Sequence, residues 1–155
     1  MSNIVNDIQT ELKKRGYRTS ANRDKVLKVL DKTDKPLTVG EIYERALKIS
    51  PLNDIQELDQ STAYRTIESL AKEGFVKVIS LLEGYNRYEL ERGDHHHHFV
   101  CMECQDIIPI HLGNHLKESE KKIEQKIEQE QGVTITSHSL EFFGICKSCK
   151  LNPSL

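Results

Sequence analysis

Asp94-His95-His96-His97-His98-Phe99-Val100-Cys101-Met102-Glu103-Cys104 packs four imidazoles and two thiols into eleven residues. All six side chains are good ligands for a divalent transition metal. A second Cys-x-x-Cys pair, Cys146 and Cys149, lies 41 residues beyond the first, and the sequence holds no other cysteine. Each pair can form a knuckle that presents two sulfurs to one ion. Two knuckles complete a tetrahedral four-cysteine site with Zn–S bonds of about 2.3 Å. The spacing therefore predicts a structural zinc on Cys101, Cys104, Cys146 and Cys149, and iron would use the same geometry. A redox role would need a Cys-x-x-Cys opening a helix in a βαβ unit, a pattern this sequence lacks.

The histidines read differently. A solvated polar loop is the simplest alternative, but a strand-like segment follows at once. Alternate residues of a strand point to opposite faces. His95 and His97 would then face one way and His96 and His98 the other, so that one short segment donates two nitrogens to each of two sites. Glu89, His111, His115 and His138 are further candidate ligands, with Glu103 and Asp106 as weaker ones.

At 155 residues, with 37% hydrophobic residues and no tryptophan, the composition suits two small units better than one large core. No apolar run reaches the length of a membrane span, and four cysteines in two close pairs suit a reducing compartment, so a cytoplasmic location is expected. Residues 1–88 carry 15 Lys and Arg against 13 Asp and Glu, and residues 89–155 carry 7 against 11. The first half is mildly basic, which permits nucleic-acid binding without requiring it.

In that first half, Ile4, Val5, Ile8 and Leu12 recur at helical spacing and Gly16 provides a stop. Thr19 or Ser20 can cap a second helix with Val26, Leu27, Val29 and Leu30 inward. Thr38 and Glu41 form a capping-box pattern ahead of a third. Residues 51–58 read as a loop, and Asp59 or Ser61 opens a fourth helix that ends near Gly74. Strand-like runs at 75–79 and 85–90, joined by a Glu83-Gly84 turn, complete a winged helix-turn-helix outline. On the fourth helix Ala63, Ile67 and Leu70 make the apolar face, leaving Ser61, Thr62, Tyr64, Arg65 and Glu68 outward. The N-terminal end of such a helix meets base edges: Arg65 can pair with a guanine, Tyr64 can pack on a thymine methyl, and Ser61 or Thr62 can bind phosphate. An ordinary surface face of a helical domain is the alternative.

In the second half, strand-like segments at 98–101, 107–110 and 133–143 suggest a small sheet, with a long helix over 114–131. Such a sheet often completes its core by dimerising, and paired helix-turn-helix units then match a palindromic site.

Taken together, Arg18-Thr19-Ser20-Ala21-Asn22-Arg23, Ser61-Thr62-Ala63-Tyr64-Arg65-Thr66-Ile67, Arg87-Tyr88-Glu89-Leu90, the run His95 to Cys104, Ser137-His138-Ser139-Leu140 and Gly144-Ile145-Cys146-Lys147-Ser148-Cys149 resemble the ferric uptake regulator (Fur) family of bacterial metal-dependent transcription factors. The resemblance spans nearly the whole chain. It implies an α+β protein: an N-terminal winged helix-turn-helix domain (1–90) joined by a hinge to a small α/β dimerisation domain (91–155) with a four-cysteine zinc site. It assigns Glu89, His96 and His98 to a regulatory site near the hinge, and His95, His97 and His138 to a further site that usually adds a carboxylate from the following helix. Tyr64, Arg65, Ser61, Thr62, Lys14 and Arg23 become the DNA-binding set. Three positions depart from the family pattern: Pro36 stands where a histidine is frequent, Pro109 where a glutamate is frequent, and Asn22 where glutamine is usual. His111 is then expected to complete the hinge site and His115 to replace the helix carboxylate. Glu89, in place of an aspartate, argues against the peroxide-sensing branch.

The expected function is a metal-responsive regulator, a repressor of metal uptake that binds double-stranded DNA as a homodimer when loaded with Fe(II) or Zn(II). A zinc enzyme with Glu89 or Glu103 as base would need a catalytic motif such as His-Glu-x-x-His, which is absent. A metal storage protein would not need Tyr64 and Arg65 on an exposed helix.

Overall fold

The computed structural model describes residues 3–18, 20–49, 58–81, 84–93, 96–111 and 113–151. Thr19, Glu83, His95 and residues 51–57, all of which carried sequence expectations, lie outside the described residues. The chain divides into two units, Met1–Asp94 and His95–Leu155.

The first unit holds four helices: α1 (Asn3–Lys14), α2 (Ala21–Asp31), α3 (Val39–Lys48) and α4 (Gln60–Lys72). Their limits follow from local chemistry. Gly16 takes φ 88°, a conformation glycine adopts without a Cβ clash, and the amide of Tyr17 returns to the carbonyl of Leu12 at 3.0 Å to close α1. Ser20 Oγ accepts the Arg23 amide at the start of α2. Thr38 and Glu41 form the full capping box of α3. Asp59, rather than Ser61, is the N-cap of α4 and accepts the Thr62 amide at 2.6 Å.

Strands β1 (Val76–Ser80) and β2 (Asn86–Leu90) form the antiparallel wing, in register from Val76 opposite Leu90 to Ser80 opposite Asn86. A bridge between Leu37 and Tyr88 ties the wing to the connection before α3. The apolar faces meet in one core that includes Leu12, Leu27, Leu30, Ile42, Ile67, Leu70 and Tyr88. Burying each such aliphatic side chain contributes about 1.5–3 kcal/mol. Pro36 is fully buried, and its carbonyl accepts from the Arg87 guanidinium at 3.5 Å. The residue standing in place of a histidine thus serves the wing. Glu68, on the outward side of α4, is half-buried by the wing: its carboxylate accepts the Tyr88 hydroxyl at 2.8 Å.

The second unit contains β3 (His97–Cys101), β4 (Ile107–Ile110), α5 (Asn114–Gln131), β5 (Glu141–Gly144) and α6 (Lys147–Leu151). The sheet order is β4-β3-β5, with β4 antiparallel and β5 parallel to β3. The long strand expected over 133–143 is shortened to 141–144. Its first half runs beside α5 instead, where Glu128 Oε1 accepts the Ile135 amide at 2.8 Å and Glu124 meets His138. Carboxylates of the helix, rather than a strand partner, satisfy that backbone and side chain. Leu116, Ile123, Ile127, Phe142 and Phe143 all remain exposed in the single chain.

Candidate metal centres and nucleic-acid face

The four cysteines come from three places in the second unit: the end of β3, the turn after it, and the segment around the start of α6. The turn is tight. Gln105 adopts φ 59°, uncommon for a residue with a Cβ, its amide reaches the Cys101 carbonyl at 2.9 Å, and the Cys101 amide reaches the Asp106 carbonyl at 2.9 Å. This brings the Sγ atoms of Cys101, Cys104, Cys146 and Cys149 within 4.8 Å of one another. The separations are 3.9 Å for Cys101–Cys149 and 3.8 Å for Cys104–Cys146. A tetrahedral ion with bonds of about 2.3 Å spaces its sulfurs by about 3.8 Å, so the cluster fits zinc. Backbone amides of Cys104 and then Cys146 pull the Cys101 thiol down to about 6, the Cys146 amide lying 3.3 Å from Cys101 Sγ. Hydrogen bonding to Cys146 and Cys104 pushes the Cys149 thiol up. Four sulfurs this close ionise together only beside a cation.

The histidines separate by strand alternation. His96 and His98 lie together with ring centroids 5.0 Å apart, and His111, after β4, stands 5.4 Å from His96. His98 is buried, His96 half-buried and His111 exposed. Glu89 is buried in β2 of the first unit, opposite Lys77. His97 turns to the other side of β3 and is also buried; its Nε2 lies 2.7 Å from Glu120 Oε1 on α5. His138 Nε2 lies 3.9 Å from the same oxygen, and its Nδ1 lies 2.7 Å from Glu124 Oε1. His115 takes no part in this group. It stands exposed in the first turn of α5, where its backbone carbonyl accepts the Ser119 hydroxyl at 2.9 Å. The helix residue beside His97 and His138 is therefore Glu120, more than one turn further along. Neither Glu120 nor Glu124 was singled out from the sequence. Their signal is the spacing of Glu120, Glu124 and Glu128, which puts three carboxylates on one helix face.

On the first unit, α4 exposes Tyr64 and Arg65 while Ala63, Ile67 and Leu70 are buried. Ser61 and Thr62 are not presented as phosphate donors. Their hydroxyls donate to Asp59 at 2.8 and 3.0 Å, and Arg65 donates to Ser61 Oγ at 3.3 Å. The Thr62 amide, then these hydroxyls, hold the Asp59 carboxyl below the usual carboxylate range. An open groove beside α4 is lined by Thr38, Gln60, Tyr64, Arg65, Tyr85 and Asn86, joining the helix to the wing. Lys14 is exposed on α1, 3.8 Å from Glu11. Arg23 lies over the Tyr17 ring and donates to the Arg18 carbonyl at 2.9 Å.

Comparisons with known proteins agree with this architecture. The profile of the ferric uptake regulator family matches residues 14–143. The ferric uptake regulation protein of Bacillus subtilis (strain 168) is 29% identical over 153 residues, covering 96% of each chain. That of Neisseria gonorrhoeae is 27% identical over 141 residues, covering 90% of this chain and 91% of its own. Among solved structures, the Helicobacter pylori ferric uptake regulator, described as having three functional metal binding sites, aligns with a TM-score of 0.73 at 25% identity, over 98% of this chain and 95% of its own. The chain belongs to the ferric uptake regulator family and is a metal-responsive regulator, not an enzyme.

Proposed function

We propose that this protein represses metal-uptake genes by binding a palindromic operator as a homodimer when loaded with Fe(II) or Zn(II). The observation that carries the reading is the division of the histidine run. His96 and His98 fall on one side of β3 with His111, while His97 falls on the other with Glu120 and His138. Two imidazole-rich groups separate from a closed four-sulfur site suit one structural ion and additional, exchangeable ones. Glu89 is assigned to the first group as its carboxylate ligand, and His95 to the second.

Tyr64 and Arg65 are assigned to base reading in the major groove, with Ser61 and Thr62 holding Arg65 through the Asp59 network. Lys14 and Arg23 are assigned to the DNA backbone. The exposed Leu116, Ile123, Ile127, Phe142 and Phe143 support pairing with a second copy, since apolar residues gathered on one small unit mark an interface. No described helix is long and apolar enough to cross a membrane. A cytoplasmic location belongs to this reading because the operator is there.

Metal then acts by shifting a population. Moving the DNA-competent arrangement from 1:99 to 99:1 takes about 5.5 kcal/mol of differential binding, within reach of two ions per dimer. The test is a mobility-shift titration with the chain chelated at its exchangeable sites and then resupplied with each ion. Operator affinity unchanged by chelation and resupply refutes the switch. His98→Ala should abolish the response while zinc on the four cysteines is retained.

A further inference from the structure

Glu124 has no role in the reading so far, and we propose that it is a positioning residue that fixes His138 as an Nε2 ligand. The inference rests on the reading of His97, Glu120 and His138 as a metal site.

Glu120 and Glu124 stand one turn apart on the same face of α5. Glu124 Oε1 lies 2.7 Å from His138 Nδ1, while Nε2, across the ring, lies 3.9 Å from Glu120 Oε1. That same Glu120 oxygen is 2.7 Å from His97 Nε2. A carboxylate accepts from the ring at Nδ1, and in the neutral imidazole that a metal requires Nε2 then carries the lone pair toward Glu120 and His97. Histidines that bind metals commonly donate their second nitrogen to a carboxylate in this way, which sets the tautomer and makes the ligating nitrogen more basic. The contact is reached by solvent, with both side chains 31% exposed, so its hold on the ring comes from the 2.7 Å geometry. Glu124 is not needed to hold the segment down. Glu128, one turn on, binds the Ile135 amide at 2.8 Å and tethers the backbone leading to His138. The same helix face thus presents an inner carboxylate at the centre, one behind the ligand and one on the backbone.

The test uses the full chain with zinc already on its four cysteines. Further zinc is titrated against a chromophoric chelator, and the His138 ring nitrogens are followed by 15N–1H spectroscopy before zinc is added. The wild-type ring should show the Nδ1–H form. Glu124→Ala should lose that form and weaken the zinc bound beyond the cysteine site by ~10–100-fold. Glu124→Gln, which keeps an acceptor oxygen but no charge, should retain the Nδ1–H form and bind between the two. Unchanged zinc affinity in Glu124→Ala overturns the proposal, and so does weaker binding with the Nδ1–H form intact. An affinity of the Gln variant below that of the Ala variant overturns it as well. His138→Ala separates the two levels. If that variant binds the additional zinc like wild type, the metal-site reading itself fails; if it loses the zinc while Glu124→Ala keeps it, only the role of Glu124 fails.

Discussion

Removing zinc from the four cysteines should unfold the second unit and leave the first intact. Among the described residues, the buried apolar side chains of the second unit are Val100, Ile107, Cys101 and Cys146, and two of these four are zinc ligands. Burial of Val100 and Ile107 contributes about 3–6 kcal/mol, at about 1.5–3 kcal/mol per side chain. A structural zinc contributes about 10–16 kcal/mol near neutral pH. That exceeds the net stability of many whole domains, about 5–15 kcal/mol, so what remains after its loss cannot hold β3, β4 and β5 together. The first unit has a core of many more side chains, among them Val26, Leu27, Leu30, Ile42, Ile67 and Leu70. Hydrogen exchange resolved along the chain reads both outcomes at once. After chelation under reducing conditions, amides of Phe99, Val100 and Phe142 should exchange as in an unfolded chain, while those of Leu27 and Ile67 keep their protection. Cys104→Ser should reproduce the pattern without a chelator. Protection retained at Val100 in protein shown by elemental analysis to be zinc-free would refute the reasoning.

Three further outcomes follow from single contacts. Burial, and then the bond to Glu68, push the Tyr88 hydroxyl up to about 12. The folded state therefore holds this proton more tightly than the unfolded chain, whose tyrosine ionises near about 10. The stabilisation is fully present below pH ~10 and lost as pH rises toward ~12, on the order of 2 kcal/mol. Denaturant midpoints across that window should fall more steeply in wild type than in Tyr88→Phe, and equal slopes would remove Tyr88 as the cause. Arg65→Ala should weaken operator binding about 5- to 150-fold, the equivalent of one base contact of about 1–3 kcal/mol, with zinc content unchanged. A storage protein would bind its metal identically and have no operator to lose. Thr38→Ala breaks the capping box of α3 and should lower stability by about 1 kcal/mol in thermal unfolding, more than the same change at the exposed Thr10.

The first unit was legible because its signals are local. Helical periodicity at Val5, Ile8 and Leu12, the Thr38/Glu41 box and the glycines at 16 and 74 each act within one turn of chain, and the structure uses all of them. The cysteine cluster was legible because two knuckles of fixed geometry leave one way to share an ion. Less was legible where a contact depends on which distant elements meet. His115 and Glu120 lie in the same highly charged helix, and only the placement of α5 beside β3 brings Glu120 to His97. The alternation from Val133 to Phe143 is strand-like by composition, but three carboxylates on α5 supply the nearest partners for its first half. Glu68 likewise sits at an outward helical position, yet the wing brings the Tyr88 hydroxyl to it.

Asp59 carries a last consequence, for the search along the chromosome. A carboxylate at the N-cap of the recognition helix opposes phosphate where a helix end would otherwise attract it. The half of the chain bearing that helix has a formal excess of only two positive charges. If Arg65, Lys14 and Arg23 are the cations that meet DNA, as proposed, few counterions would be released on arbitrary sequence, and binding there should depend only weakly on salt. Under the proposed function, discrimination then falls to Tyr64, Arg65 and the fit of two half-sites. On that reading the protein would spend little time on wrong sequence, and its occupancy of DNA would follow metal supply more closely than ionic strength.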